Sequence, residues 1–147
     1  MGQIRAYIQA KNNKVPNSVL DMIPLYLSEG AADVIRGDVA FAQSCLETGN
    51  FGFAGSAVTL DQNNVCGMGV TANGMKGISF DTPQMGIRAQ IQHLKAYANT
   101  DALKNPCIDP RFKYVERESA AYVEWLGQKE TQREKVGQAG PVMVKKS

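Results

Sequence analysis

One histidine, His93, and three cysteines are all that the 147 residues hold of the side chains most used for metal centres and disulfide frameworks. A single imidazole excludes a multi-histidine metal site. Cys45, Cys66 and Cys107 are odd in number and widely spaced, which fits neither a disulfide framework nor a zinc pattern, so their expected role is as buried small hydrophobes. A nucleophilic pair of His93 with one of the thiols stays formally open, but no local cysteine-protease signature accompanies it. No metal or other cofactor is expected. No apolar run approaches the roughly 20 residues of a membrane span, and the N-terminus lacks the apolar core of a signal peptide. The chain is expected to be soluble, with any export signal removed or outside it, and with no membrane as partner. Its 16 basic and 14 acidic residues are scattered, net +2, so no basic stripe of the kind that phosphate binding needs is present, and nucleic acid is excluded as a partner.

What is there suits one domain. A hydrophobic content of 44% over this length supports a single core. Residues 1–16 are polar apart from Ile4, Tyr7 and Ile8 and read as an N-terminal arm or short helix. From Asn17 to Gly30 the apolar positions Leu20, Ile23, Leu25 and Leu27 predict a helix that begins close to Pro24 and stops at Gly30. Asp38 is the expected N-cap of a second helix running to Thr48, with Val39, Ala42, Cys45 and Leu46 recurring at helical spacing and Gly49 as its stop. Eight of the 14 glycines then fall between Gly49 and Gly86, which predicts a lobe of loops and short strands. Asp81-Thr82-Pro83 opens the strongest helix, whose stripe Ile87, Ile91, Leu94 and Ala98 is buried, with Arg88, Gln92 and Lys95 outside. His93 beside the stripe reads as a hydrogen-bonded structural histidine. Asn99 to Pro110 is a loop, Asp109-Pro110-Arg111-Phe112 a turn, and Ser119 to Leu126 a short helix in which Trp125 anchors the core. Helices, a glycine-rich lobe and further helices together suit a cleft between a helical body and a smaller lobe.

Chemistry concentrates at Glu47. It lies in the last turn of the second helix, with Gln43 one turn behind on the same face. An anion there meets the negative end of the helix dipole, which disfavours its charged form by roughly 0.3–1 kcal/mol, and partial burial against Phe51 and Phe53 is expected to act in the same direction. A carboxyl kept protonated can give its proton to a leaving oxygen.

Several stretches, in order, resemble one family: Arg36-Gly37-Asp38-Val39-Ala40-Phe41-Ala42-Gln43, Leu46-Glu47-Thr48-Gly49, Gln62-Asn63-Asn64, the run from Gly86 to Tyr97, Asp109-Pro110-Arg111-Phe112, and Tyr122-Val123-Glu124-Trp125-Leu126-Gly127. Together they are similar to the bacterial glucosaminidase domains of autolysins and phage lysins, glycoside hydrolase family 73, over about residues 20–130. The resemblance implies an α+β, predominantly helical, lysozyme-like fold: a helical body and a small glycine-rich loop and strand lobe forming a cleft. It implies hydrolysis of the β-1,4 bond after N-acetylglucosamine in peptidoglycan, with Glu47 as general acid and Gln43, Phe53, Asn63, Asn64 and Tyr97 on the substrate. Asn63 and Asn64 match the family's paired asparagines, whose amides bind acetamido groups or brace the loop. Glycosidases pair the acid with a second carboxylate about 5 Å away for retention or about 6.5–9.5 Å for inversion, or let the substrate's own 2-acetamido group attack. Asp61, before the asparagine pair, is the candidate second group beside that substrate-assisted route. The alternatives are a glycan-binding domain that does not cut, and a muramidase or transglycosylase on the same fold. The implied partner is the glycan strand of peptidoglycan, met by a monomer that is secreted or wall-associated, or phage-encoded and released at lysis.

Residues 17–130 are thus the expected catalytic domain, and 131–147 depart from the pattern. Where the family continues roughly Glu-Asn-Pro-x-Gly-Lys-Gly-Trp-Ala and then Gly-Tyr-Gly, this chain has a tail of Lys, Arg, Glu and Gln with no apolar face to bury. Read from the third base of the Glu130 codon, permitted codons recover the family's order, so the tail is expected to be a frameshifted last segment that lowers activity. The coding DNA decides it.

Overall fold

The computed structural model describes residues 2–54, 58–69 and 77–120. The expected helix at Ser119 to Leu126, with Trp125, and the tail from 131 lie outside the described residues, apart from Ser119 and Ala120.

The described part is predominantly helical. Five helices follow one another: α1 (Gly2–Lys11), α2 (Asn17–Leu20), α3 (Ile23–Asp33), α4 (Gly37–Thr48) and α5 (Pro83–Ala98), with 3-10 turns at Leu60–Gln62 and Phe112–Tyr114. Among the described residues the glycine-rich lobe contains no strand, only loop and the first of these turns. The polar arm folds as α1 and is tied to the body by Ile8, which is fully buried in the same core as Tyr26, Phe41 and Ile91.

Two helix boundaries differ from the sequence expectation. α3 starts at Ile23, close to Pro24 as expected, but runs through Gly30 to Asp33, where Val34 takes a left-handed φ of 58°. Gly30 is kept for close approach: a Cβ there would stand 2.5 Å from the Ile35 carbonyl oxygen, and one on Gly37 would stand 2.3 Å from that of Tyr26. The two missing side chains let α3 and α4 touch backbone to backbone. Asp38 is not the N-cap of α4. It sits inside the first turn, paired with Arg36 at 2.8 Å and accepting from the Val39 N–H at 2.9 Å, still at the helix end that favours an anion.

α5 carries the centre of the fold. The Thr82 hydroxyl accepts from the Met85 N–H at 3.1 Å and Pro83 occupies the first turn, as the sequence predicts. Ile87, Ile91, Leu94 and Ala98 are buried, but so are Gln92 and Lys95, which periodicity places in solvent. Lys95 reaches α3, donating to the Asp33 carbonyl oxygen at 3.0 Å and facing its carboxylate at 3.5 Å. Arg88 grips Glu29 of α3 with two nitrogens at 2.8 and 3.0 Å, and Gln84 adds a third bond to that carboxylate at 3.1 Å. Burial alone would raise the Glu29 pKa, yet the Arg88 and Gln84 hydrogen bonds and the Arg88 charge hold it below the usual carboxylate range.

Candidate active site

The C-terminal end of α4 is tied into a tight knot. Gly49 closes the helix at φ 60°, and Asn50, Phe51 and Phe53 all take positive φ as well (56°, 61° and 58°). Side chains of that size rarely occupy this region, and such outliers persist only where the surroundings hold them. The holding contacts are the Thr48 hydroxyl, which donates to the Ser44 carbonyl oxygen at 2.7 Å and accepts from the Phe51 N–H at 2.9 Å, and the Phe53 N–H on the Thr48 carbonyl oxygen at 2.8 Å. Phe51 is thereby turned inward onto Phe41, ring centroids 5.4 Å apart, with Phe53 edge-on to it at 6.3 Å.

This corrects two expectations. Glu47 is exposed instead of half-buried against Phe51 and Phe53, because Phe51 belongs to the core. Leu46 is 82% exposed, and Ala42 is exposed too; the buried face of α4 is Ala40, Phe41, Ser44, Cys45 and Thr48. A stripe read one position off leaves Glu47 on the outer side of the last turn.

The lobe comes up to that side. A Cβ on Gly67 would meet the Glu47 Oε2 at 3.6 Å, so the carboxylate faces the Gly67 backbone directly, and Gly67 itself has a φ of 68°. Asn64 holds this stretch of lobe in shape. It is 1% exposed; its amide donates to the carbonyl oxygens of Met68 and Ile78, each at 2.8 Å, and its oxygen accepts from the Met68 N–H at 2.9 Å. Asn63, left-handed at φ 55°, donates to the Phe80 carbonyl oxygen at 2.9 Å. The amides of both asparagines are therefore engaged inside the lobe. Asp61 lies on the exposed side of the 3-10 turn Leu60–Gln62, where its carboxylate accepts from the Thr59 hydroxyl.

Further along α5, His93 bonds through Nδ1 to the Asp109 carboxylate at 2.7 Å, and its ring meets the half-buried Tyr97 edge-on at 5.4 Å. The Asp109 side chain is fully buried, and its second oxygen accepts from the Arg111 N–H at 2.8 Å. The loop bearing it is pinned by Gln92, which accepts from the Ile108 and Asp109 N–H groups at 2.9 and 3.2 Å and donates to the Pro106 carbonyl oxygen at 3.0 Å.

Cys66 precedes Gly67 in the lobe and is half-buried. Burial pushes its thiol up to about 12; the Met68 N–H opposes this, and the charges of Glu47 and Asp109 add to it. The thiol bonds to Asn64 at 3.9 Å, and burial raises Cys45 to about 11. His93 is committed to Asp109, and neither the buried Cys45 nor the half-buried Cys66 is near the thiolate form that a nucleophile needs; Cys107, expected to be buried like them, is exposed. Among the described residues no group of three or more His, Cys, Asp or Glu is placed to hold a metal ion, and no helix is long and apolar enough to cross a membrane.

Of the residues singled out in the sequence, the structure sets Gln43 and Glu47 in the last two turns of α4, Phe53 against Phe51 in the knot that follows, Asn63 and Asn64 inside the facing lobe, Tyr97 beside His93, and Asp61 on the 3-10 turn Leu60–Gln62. Sequence reasoning did not single out Asp109, Gly67 or Gln90 as site residues. The Asp-Pro turn and the shared motif around it were the one available signal for Asp109. Gln90 gave none, since its partners lie on another helix.

Comparison with known proteins adds a family and a relative. The glucosaminidase family, described as mannosyl-glycoprotein endo-beta-N-acetylglucosaminidase, matches residues 23–137. An uncharacterized protein of Borreliella burgdorferi (strain ATCC 35210 / DSM 4680 / CIP 102532 / B31) is 42% identical over 104 residues, which cover 71% of this chain and 50% of that protein. The chain thus spans about half the length of this curated relative. No solved structure matches.

Proposed function

The chain belongs to the glucosaminidase family, and from that premise we propose that it hydrolyses the β-1,4 glycosidic bond following N-acetylglucosamine in bacterial peptidoglycan, with Glu47 as general acid. The family's description names a glycoprotein bond; the element common to both substrates is the N-acetylglucosamine whose linkage is cut. The observation that carries the reading is the Glu47 carboxylate at the end of α4, facing the side-chain-free backbone of Gly67. A sugar seated there displaces water from the carboxyl and brings the glycosidic oxygen within reach of its proton. As the bond breaks, the proton goes to the leaving oxygen, and water supplies hydroxyl to the anomeric carbon and a proton that restores the acid.

Either Asp61 or the substrate's 2-acetamido oxygen supports the positive charge at that carbon. Asp109 does not serve, since its carboxylate is sealed off and bonded to His93 and Arg111. Asn63 and Asn64 contribute by bracing the lobe opposite Glu47, and Tyr97 by forming a wall beside His93. The site of action is the cell wall, reached by secretion or at phage lysis.

Muropeptide release from purified peptidoglycan tests the proposal. Glu47→Gln is expected to lose at least 100-fold in turnover, the usual contribution of a general acid, while keeping its affinity for glycan. A wild type that binds glycan with no release overturns the hydrolase reading in favour of a binding domain. New reducing ends carrying N-acetylmuramic acid, or an anhydro product, overturn the bond assignment in favour of a muramidase or transglycosylase. Asp61→Asn separates the two routes, for turnover survives it only if the acetamido group acts.

A further inference from the structure

Gln43 stands one turn before Glu47, half-buried, and the atoms behind it fix which way its amide points. Gln90 of α5 is 1% exposed and places Nε2 at 2.9 Å from the Ala40 carbonyl oxygen and at 2.9 Å from Gln43 Oε1. A carbonyl oxygen can only accept, so the Gln90 atom facing Ala40 must be its NH2 group, and the Gln43 atom facing that NH2 must be an oxygen. The other end of the chain agrees. Gln90 Oε1 lies 3.2 Å from the fully buried Ser44 hydroxyl, which is 2.7 Å from the fully buried Tyr26 hydroxyl. Burial holds the Tyr26 phenol far above its usual range, so it keeps its proton, for which the Ser44 oxygen at 2.7 Å is an acceptor. Ser44 then has one proton for two acceptors, the Ala40 carbonyl oxygen and Gln90 Oε1, each at 3.2 Å. Whichever it chooses, the Gln90 NH2 stays fixed by the Ala40 carbonyl oxygen, and with it the oxygen that Gln43 turns towards it. What is left is the Gln43 NH2 group, a donor on the residue one helical turn before Glu47.

We propose that Gln43 is a specificity-determining residue whose outward NH2 donates to the carbonyl oxygen of the sugar's 2-acetamido group, and that Gln90 is the positioning residue that keeps it turned that way. This rests on the glycan-cleaving reading above. A sugar hydroxyl would accept an amide in either orientation, because it both donates and accepts. The acetamido carbonyl only accepts, and a de-N-acetylated sugar presents an ammonium that only donates. A locked donor therefore rejects the free amine and selects the N-acetylated ring.

The test uses the full chain with two probes, a β-1,4 N-acetylglucosamine oligosaccharide and its de-N-acetylated counterpart. The ratio of kcat/KM for the two is measured, and the ratio of Kd is measured in a Glu47→Gln background where turnover is blocked. Gln43→Glu, which offers only acceptors, is expected to lose roughly tenfold or more on the acetylated probe, mainly in KM, and to gain on the amine. Gln90→Met, which keeps the volume and removes the lock, is expected to move the ratio towards one, and adding Gln43→Ala to it should cost little more. An unchanged ratio in Gln43→Glu overturns the Gln43 assignment. Two losses that simply add overturn the positioning role of Gln90, because a general loss of structure moves both probes equally. Failure of the hydrolase reading is separately visible: no turnover in the wild type with the Kd ratio intact.

Discussion

Gly86→Ala decides whether α5 and the lobe form one unit. In an unconstrained helix this change adds about 1 kcal/mol of stability, because glycine loses more backbone entropy on folding. Here an added Cβ would lie 1.7 Å from the Asn63 carbonyl oxygen and 2.9 Å from its carbonyl carbon. Neither atom is the tip of a flexible side chain, so the Asn63 backbone has to withdraw. Overpacking of this kind costs about 1–3 kcal/mol. Withdrawal also strains the bonds that seat the turn, the Asn63 amide on the Phe80 carbonyl oxygen and the Phe80 N–H on the Gln62 carbonyl oxygen, each contributing about 1 kcal/mol. Steric cost and lost bonds outweigh the helix gain, leaving a net loss of roughly 2 kcal/mol, and at about 3 °C per kcal/mol for a chain of this size Tm falls by about 6 °C. Thermal unfolding followed by circular dichroism reads it directly. Gly2→Ala is the control, with nothing within 4 Å of the added carbon, and its Tm should hold or rise slightly. A rise in Tm for Gly86→Ala would refute the reasoning, since it would mean that the lobe is not seated on α5. Turnover on peptidoglycan should drop with stability, because Gly67, which faces Glu47, belongs to the same lobe.

Further outcomes follow from the same contacts. Glu29→Gln removes a carboxylate held below its usual range by the Arg88 and Gln84 hydrogen bonds. A group with a depressed folded pKa adds stability above its unfolded value of about 4.3 and loses it as pH falls through the folded one. The substitution should therefore cost about 1–3 kcal/mol at neutral pH and flatten the acid limb of a Tm against pH curve; parallel curves for wild type and variant would refute it. Asn64→Ala strips the partners of the Met68 N–H and of the Met68 and Ile78 carbonyl oxygens. It should destabilise by about 3 kcal/mol and reduce turnover more than Asn63→Ala does; equal mild effects would show that the brace is elsewhere. Alkylation of the native protein at neutral pH, followed by peptide mass mapping, should label exposed Cys107 first and spare Cys45 and Cys66, raised to about 11 and about 12. Rapid labelling of Cys66 with loss of activity would revive a cysteine nucleophile.

What could be read from the sequence was local. Caps and stops gave Thr82 with Pro83 and Gly49 correctly, because each acts through atoms within a few residues. Gly30 was misread for a physical reason: a glycine that ends a helix and one that lets two backbones touch look the same in one dimension. Gln92 and Lys95 were placed in solvent because polarity is a poor guide when the partner lies on a distant segment, Pro106 to Asp109 for one and Asp33 for the other. Glu47 was legible as a carboxylate at a helix end beside glycines. Its exposure was not, since that depends on which way Phe51 turns after the helix closes.

These misplacements share one cause, and it explains how the site is held. α5 is buried on nearly every side, so apolar packing alone would not fix its register, because methyl groups slide past one another at little cost while hydrogen bonds do not. Its buried polar residues act as pins. Glu29 and Asp33 of α3 lock it to the body through Arg88 and Lys95. Then, along its length, Gly86 seats against Asn63 of the lobe, Gln90 holds Gln43 of α4, and His93 with Gln92 holds the Asp109 loop. The first two contacts reach the lobe whose Gly67 faces Glu47 and the helix α4 that carries it, although α5 does not carry Glu47 itself. A helix used as a ruler in this way must give up its solvent face, which is why an amphipathic reading fails on it and why substitutions at its glutamines are expected to alter catalysis before they alter the fold.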